Sequence, residues 1–253
     1  MAGAVALAGM ACLRSGAGLV KLAVPDGVLE TVAGFEPSYM TSPLPCDASG
    51  RFSADAAATL LELAGTATCV ACGPGIGRSQ DLTYLVRELY RHLPQPMVID
   101  ADGLNALAGA PAGLKDAAGP RVLTPHPGEF SRLSGVSAAS RREQIDAARK
   151  LAALHGVVVL LKGHGTFVTD GQREAVNTTG NPGMATGGTG DVLTGILTAL
   201  ICQGLSAFDA AVLGAHVHGL AGDLAAKELG QVSLIARDLV GFLPAAFRSV
   251  IAK

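Results

Sequence analysis

Along this chain, short uninterrupted apolar runs alternate with longer stretches in which apolar residues return every three or four positions. Polar or glycine-rich clusters separate the two. The short runs read as buried strands and the long stretches as helices packed on one face. Residues 2–15 predict a helix of small residues, and 19–24 a strand, with Pro25-Asp26 opening the next helix. Residues 36–50, rich in Pro, Ser and Asp, predict a loop, and 53–64 a helix. The run 66–72 predicts a strand ending at Gly73-Pro74-Gly75-Ile76-Gly77, and over 79–92 Leu82, Leu85, Val86 and Leu89 share one helix face. Residues 97–99 and 121–124 predict short buried strands, ending in Asp100-Ala101-Asp102-Gly103 and Pro125-His126-Pro127-Gly128-Glu129. A helix with a charged face is expected over 137–155, then a strand over 157–161 ending in Lys162-Gly163-His164-Gly165. Asp170-Gly171, between 167–169 and 174–177, predicts a hairpin. Helices over 188–203, 206–229 and 235–250 follow.

Strands alternating with helices predict an α/β fold with a mostly parallel sheet covered on both faces. The length, 253 residues without an internal repeat or linker, suits one domain over 1–253. Hydrophobic residues at 49% against 16% charged require helices buried on wide faces. A net charge of −2 and the absence of Trp exclude a nucleic acid or an anionic membrane as the expected partner. Five scattered cysteines argue for a reducing compartment. Cys69-Val70-Ala71-Cys72 has no second pair to complete a zinc site and reads as core. Residues 1–13 lack a basic leader, Arg14 and Lys21 interrupt the apolar run, and no stretch approaches a membrane span, so a cytoplasmic protein is expected.

The chemistry concentrates where the glycines do. In Asn181-Pro182-Gly183-Met184-Ala185-Thr186-Gly187-Gly188-Thr189-Gly190-Asp191 a glycine-rich turn opens an apolar helix, with one carboxylate at the junction. Glycines let backbone N–H groups turn toward an anion, and a helix start adds unpaired donors and the positive end of its dipole. An Asp placed there can take a proton from a hydroxyl while the turn holds a phosphoryl group. That describes phosphoryl transfer without a Walker lysine.

The other clusters fall at strand carboxyl ends, where open α/β sheets bind ligands. Gly73 to Gly77 is not a dinucleotide fingerprint, because Arg78 stands at the third glycine position; it either lines a pocket or makes a tight turn. Asp100 reads as a pocket residue and Asp102 as the N-cap of the next helix. His126, stiffened by prolines on both sides, reads as a site residue. Glu129 either positions a magnesium-bound water or sits in the first turn of a short helix. Lys162-Gly163-His164-Gly165-Thr166 lets the backbone approach a nucleotide closely. His216 and His218 point to different faces of their helix and read as packing or hydrogen-bonded residues.

Taken together, residues 177–191, Leu123-Thr124-Pro125-His126-Pro127-Gly128-Glu129-Phe130, Gly73-Pro74-Gly75-Ile76-Gly77, Asp100-Ala101-Asp102-Gly103-Leu104-Asn105-Ala106-Leu107 and Leu161-Lys162-Gly163 resemble the ADP/ATP-dependent NAD(P)H-hydrate dehydratases in order and spacing through nearly the whole chain. The resemblance implies a ribokinase-like three-layer αβα sandwich and an enzyme that repairs hydrated NADH and NADPH, with ADP or ATP as phosphoryl donor and Mg²⁺ as cofactor. It implies Asp191 as catalytic acid/base in contact with the hydrate, and Gly188, Thr189 and Gly190 as the anion hole. It places Lys162, Gly163, His164, Gly165, Thr166 and Gly190 at the nucleotide, and Ala4, Gly75 and His126 around the hydrate. Glu129 matches a magnesium-associated acid of related kinases. ADP is the expected donor, and a homo-oligomer, a tetramer, is the expected assembly. Family members usually carry another strand and a Gly-Gly-Ser turn ahead of the segment matching Met1 to Gly18, so a strand of the sheet and part of the hydrate pocket are expected to be missing here, as is the epimerase domain of some bacterial relatives. The alternatives are a vitamin-precursor or sugar kinase of the same fold, and a non-catalytic nucleotide-binding protein.

Overall fold

The computed structural model describes residues 1–109 and 111–251. In chain order the elements are α1 (Ala2–Arg14), β1 (Lys21–Pro25), α2 (Leu29–Ala33), β2 (Met40–Leu44), α3 (Ala57–Gly65), β3 (Val70–Cys72), α4 (Gln80–His92), β4 (Met97–Ile99), α5 (Ala101–Ala108), β5 (Arg121–Leu123), α6 (Pro127–Ser134), α7 (Arg141–His155), β6 (Val158–Leu161), β7 (Phe167–Thr169), β8 (Glu174–Val176), α8 (Thr189–Cys202), α9 (Ala207–Leu229) and α10 (Ala236–Ile251). A six-stranded sheet runs β3-β4-β5-β6-β7-β8; its first four strands are parallel, and the β7–β8 hairpin is antiparallel.

Period-two alternation assigns the sheet's two faces. Val98, Val122, Val158, Leu160 and Val168 pack with α8, α9 and α10. Met97, Ile99, Leu123, Val159, Leu161 and Phe167 pack with residues of α4 to α7. Both faces are therefore dry, which is why these strands read as continuous apolar runs. Arg121 is the exception, a fully buried cation at the start of β5. Its guanidinium donates to the carbonyls of Tyr90, Leu93 and Gln95, which ties the end of α4 to the sheet. Helix starts follow the sequence: Ser79 accepts from Leu82 N–H at 3.0 Å, and Ser140 from Glu143 N–H at 3.3 Å, so α7 begins at Arg141 rather than at 137.

Other expectations fail as well: the strand predicted over 66–72 begins only at Val70. Residues 36–50 are not all loop, because Met40–Leu44 forms β2, paired in parallel with β1 in a separate two-stranded sheet. Pro43 stands opposite Val24 in that pairing and is tolerated because β2 has no second partner strand among the described residues. The strand predicted over 19–24 begins only at Lys21, and Leu19 is exposed. Among the described residues no helix is long and apolar enough to cross a membrane.

Candidate functional site

The loops after β4, β5 and β6 converge on the start of α8 at the carboxyl ends of the parallel strands. Asp100, the N-cap residue of α5, does not cap it with its side chain. Instead it is buried, with Oδ1 accepting from Lys162 Nζ at 2.7 Å and Oδ2 from Thr194 Oγ1 at 3.0 Å. The backbone pays locally for this turn: Ala101 is held at φ +47°. Gly73, at φ +127°, is required there, since a Cβ on it would stand 1.8 Å from the Asp100 carbonyl oxygen. Asp102 is not the predicted N-cap. It lies one residue inside α5, and its Oδ1 accepts from Arg78 Nε at 2.9 Å. The chain turns helical two residues sooner than an N-cap at Asp102 requires, with the Asp100 side chain drawn to Lys162 and Thr194.

His126 is the N-cap of α6, and its Nδ1 accepts from Gly128 N–H at 3.0 Å. Glu129 completes the capping box by accepting from His126 N–H at 2.8 Å through Oε2. With Nδ1 an acceptor, Nε2 carries the ring proton, and it faces Glu129 Oε1 at 3.3 Å. The imidazole is thus fixed in direction yet half exposed. Glu129 also lies 3.9 Å from Lys162 Nζ. Glu129 is thus a first-turn acid of α6 whose carboxylate also faces the Lys162 ammonium.

Gly188 is the N-cap of α8 at φ +91°, and a Cβ there would strike Leu7 Cδ1 at 2.7 Å. The Thr189 hydroxyl sits 3.0 Å from the carbonyls of both Met184 and Thr186, stapling the turn and leaving backbone donors for a ligand. A Cβ on Gly190 would stand 3.3 Å from Lys162 Nζ and 3.6 Å from Asp100 Oδ2, so the anion turn faces this ion pair directly. The Asp191 carboxylate receives no hydrogen bond from the described residues. Burial, and then the like charge of Asp100, push its carboxyl up to about 6, against the pull of Lys162. A base poised near neutrality beside aligned N–H donors suits removal of a hydroxyl proton.

Ala4 and Gly75 adjoin, a Cβ on Gly75 falling 3.0 Å from that of Ala4. Helix α1 therefore walls the space from the Gly75 turn to Gly188. The Lys162–Thr166 segment is an open turn in which Gly163 and Gly165 take φ +136° and +62° and His164 is exposed. Asn177 N–H donates to Thr166 O at 2.9 Å. Next to that contact lies a cavity of about 370 Å³ lined by Val168, Val176, Asn177, Thr178, Leu213 and His216.

Sequence reading missed two residues, Arg141 and Thr194, and read His218 as a packing or hydrogen-bonded residue, which it is. Arg141, the first residue of α7, donates to the carbonyls of Lys162, Leu161 and Gly165 at 3.0–3.1 Å, clamping the segment from behind. Thr194 was recoverable, since it shares a helix face with Asp191 three residues away. His218 Nε2 lies 2.9 Å from Thr189 O, and burial pushes its imidazole down to about 4. It is neutral at neutral pH and holds the anion turn by hydrogen bonding. No local signal in the sequence points to Arg141, because its partners are about twenty residues away and are all backbone.

A mostly parallel sheet between helix layers, with a glycine-rich turn opening an apolar helix at the strand ends, is the arrangement of the ribokinase-like class. Within it, this chain belongs to the NAD(P)H-hydrate dehydratase family, whose sequence profile matches residues 1–244. It is 47% identical over 253 residues to a bifunctional NAD(P)H-hydrate repair enzyme Nnr of Moorella thermoacetica, covering 99% of this chain and 48% of that protein. To the Escherichia coli protein of the same name it is 37% identical, covering 96% and 44%. The chain thus spans about half the length of the curated relatives it matches. Among solved structures it is similar to the ADP/ATP-dependent NAD(P)H-hydrate dehydratase of Bacillus subtilis co-crystallised with ATP/Mg²⁺. The TM-score is 0.80 at 28% identity, covering 98% of this chain and 85% of that one. A hydroxyethylthiazole kinase of Pyrococcus horikoshii shares the fold, with a TM-score of 0.65 at 17% identity over 98% of this chain and 97% of that one.

Proposed function

We propose that this chain dehydrates the S-epimer of hydrated NADH and NADPH in a nucleotide-dependent repair reaction, a carbon–oxygen lyase with ADP as the donor. The observation that carries this reading is Asp191: a partly buried, unpaired carboxylate at the positive end of α8, flanked by the donors of Gly188 to Gly190 and facing the Lys162–Asp100 pair. Hydroxide leaves poorly from the carbon beside the ring nitrogen. Asp191 takes the proton of that hydroxyl, and its oxygen attacks the terminal phosphorus of ADP, releasing AMP. The turn's N–H groups and Lys162 take up charge on the transferring phosphoryl. The ring nitrogen lone pair then expels phosphate, and loss of the adjacent C5 proton restores the dihydropyridine.

The adenine fits the cavity beside Asn177, whose apolar walls and few polar groups suit a base. Among the described residues no three His, Cys, Asp or Glu side chains gather as a metal cage. Glu129, the acid nearest Lys162 after Asp100, would hold Mg²⁺ through water when the nucleotide brings it. When bound, the ion neutralises phosphate charge. Low charge and wide apolar helix faces support a homo-oligomer, a tetramer by the family resemblance, which light scattering would test.

Asp191→Asn tests the assignment. It should bind ADP as wild type does and lose turnover by roughly 10²–10⁴-fold, the worth of a positioned base. Near-normal turnover would sink it.

A further inference from the structure

Beside the Gly75 turn, a relay of side chains holds two arginines that the reaction chemistry does not use. Arg78 donates through Nε to Asp102 Oδ1 at 2.9 Å. Asn105 Nδ2 donates to that same oxygen at 3.0 Å, and Asn105 Oδ1 accepts from Arg132 Nε at 2.8 Å. Each guanidinium is thus fixed through Nε alone. Among the described residues no acceptor pairs with the Nη groups of either, so four Nη nitrogens are presented outward. Arg–phosphate pairs are frequently two-pronged, and these Nη donors are available for one. The carbonyl of Arg78 is held in turn by Arg51 Nη1 at 3.1 Å, so the backbone under this corner is also fixed. A small cavity of about 70 Å³ lies here, lined by Ile76, Gly77, Arg78, Asp102 and Asn105. Two cations against one carboxylate leave the cluster with a formal charge of +1.

The corner adjoins the residues expected around the hydrate. Arg78 follows the Gly75-Ile76-Gly77 turn. Arg132 lies on α6 and reaches back to its first turn, its Nη1 falling 3.8 Å from where a Cβ on Gly128 would stand, two residues from His126. Lys162 joins Asp100 and Glu129, Glu129 faces His126, and Arg132 Nη1 lies by Gly128 in the same first turn of α6. A dinucleotide with its reacting ring at Asp191 carries one obligatory anion away from the ring, the diphosphate linkage. An unphosphorylated vitamin or sugar acceptor carries none and would leave the corner unused.

Resting on the dehydratase reading, we infer that Arg78 and Arg132 form the subsite for the diphosphate of the hydrated dinucleotide, with Asp102 and Asn105 as positioning residues. Planar guanidinium forks fixed through Nε match phosphate oxygens and need little reordering on binding.

The test is binding of NADH and NADPH, the stable reaction products, followed by the fluorescence of the reduced nicotinamide, to wild type and to the Arg78→Gln/Arg132→Gln double variant. Both arginines are exposed, and the surface ion pair of Arg78 with Asp102 is worth little, so the thermal midpoint should stay put. The single variants give a second measurement should the double variant fold poorly. The inference expects Kd for both dinucleotides to rise by about tenfold or more, as for lost hydrogen bonds to a charged group, with Kd for ADP unmoved. A loss confined to NADPH would overturn it in favour of a 2′-phosphate subsite. Unchanged binding, or an equal loss for ADP, would overturn it and leave the dehydratase reading standing. Failure of wild type to bind either dinucleotide would overturn both.

Discussion

Asp191 sits on the helix face shared with Thr194, and its hydrogen-bonding capacity is left unused while Asp100, close by, is saturated by Lys162 and Thr194. Burial and that neighbouring charge push its carboxyl up to about 6. As a base it must be ionised, so kcat/KM for the hydrate should climb about tenfold per pH unit below that value and level off above it. Asp100→Asn removes the like charge and leaves Lys162 nearby, and both effects favour the ionised form of Asp191. The acidic limb should therefore move to lower pH; a limb that stays in place would refute the electrostatic assignment. Arg141 acts on the backbone instead. With Arg141→Gln the Lys162–Thr166 turn loses two hydrogen bonds and Leu161 before it a third, and KM for ADP should rise roughly tenfold with KM for the hydrate unmoved. Equal changes in both would reduce Arg141 to general stability. Asp191 was legible because glycines and a helix start are local signals. Arg141 was not, because a guanidinium that binds carbonyls across a fold leaves no pattern in sequence.

At the scale of elements, the site depends on α1 and α8 packing nearly backbone to backbone. A Cβ on Gly195 would stand 2.1 Å from the Ala8 carbonyl oxygen. Gly195→Ala should cost about 1–3 kcal/mol through overpacking and lower Tm by several degrees. An unaltered Tm would mean that α1 is free to move away. Strands β4, β5 and β6 were readable because both sheet faces are buried and every position is apolar apart from Arg121. Strand β2 was not, since Pro43 and the hydroxyls of Thr41 and Ser42 erase alternation in a strand with a single partner. The misplaced cap at Asp102 has a similar origin: Asp100 gives its side chain to Lys162 and Thr194 rather than to the helix it begins, a choice made by tertiary structure.

Across the whole molecule, the layers matter because they bring four distant segments to one place: Asp100, His126 with Glu129, Lys162, and the Gly188–Asp191 turn. Their order along the chain and their location at strand ends could be read beforehand; their pairing, and the Arg78–Arg132 corner, emerged only with the fold. If this convergence forms the nucleotide site, ADP at a hundredfold its Kd should stabilise the chain by about 2.7 kcal/mol, and a thermal midpoint unmoved by ADP would argue against it. The most direct measurement mixes the protein with chemically prepared NADH hydrate, Mg²⁺ and ADP, with ATP in parallel, and follows the return of dihydronicotinamide absorbance together with phosphate release. Recovery of absorbance with stoichiometric phosphate, faster with ADP, is the expected result. A folded, ADP-binding protein that restores no absorbance, or that leaves a stable phosphate ester on another acceptor, would contradict it.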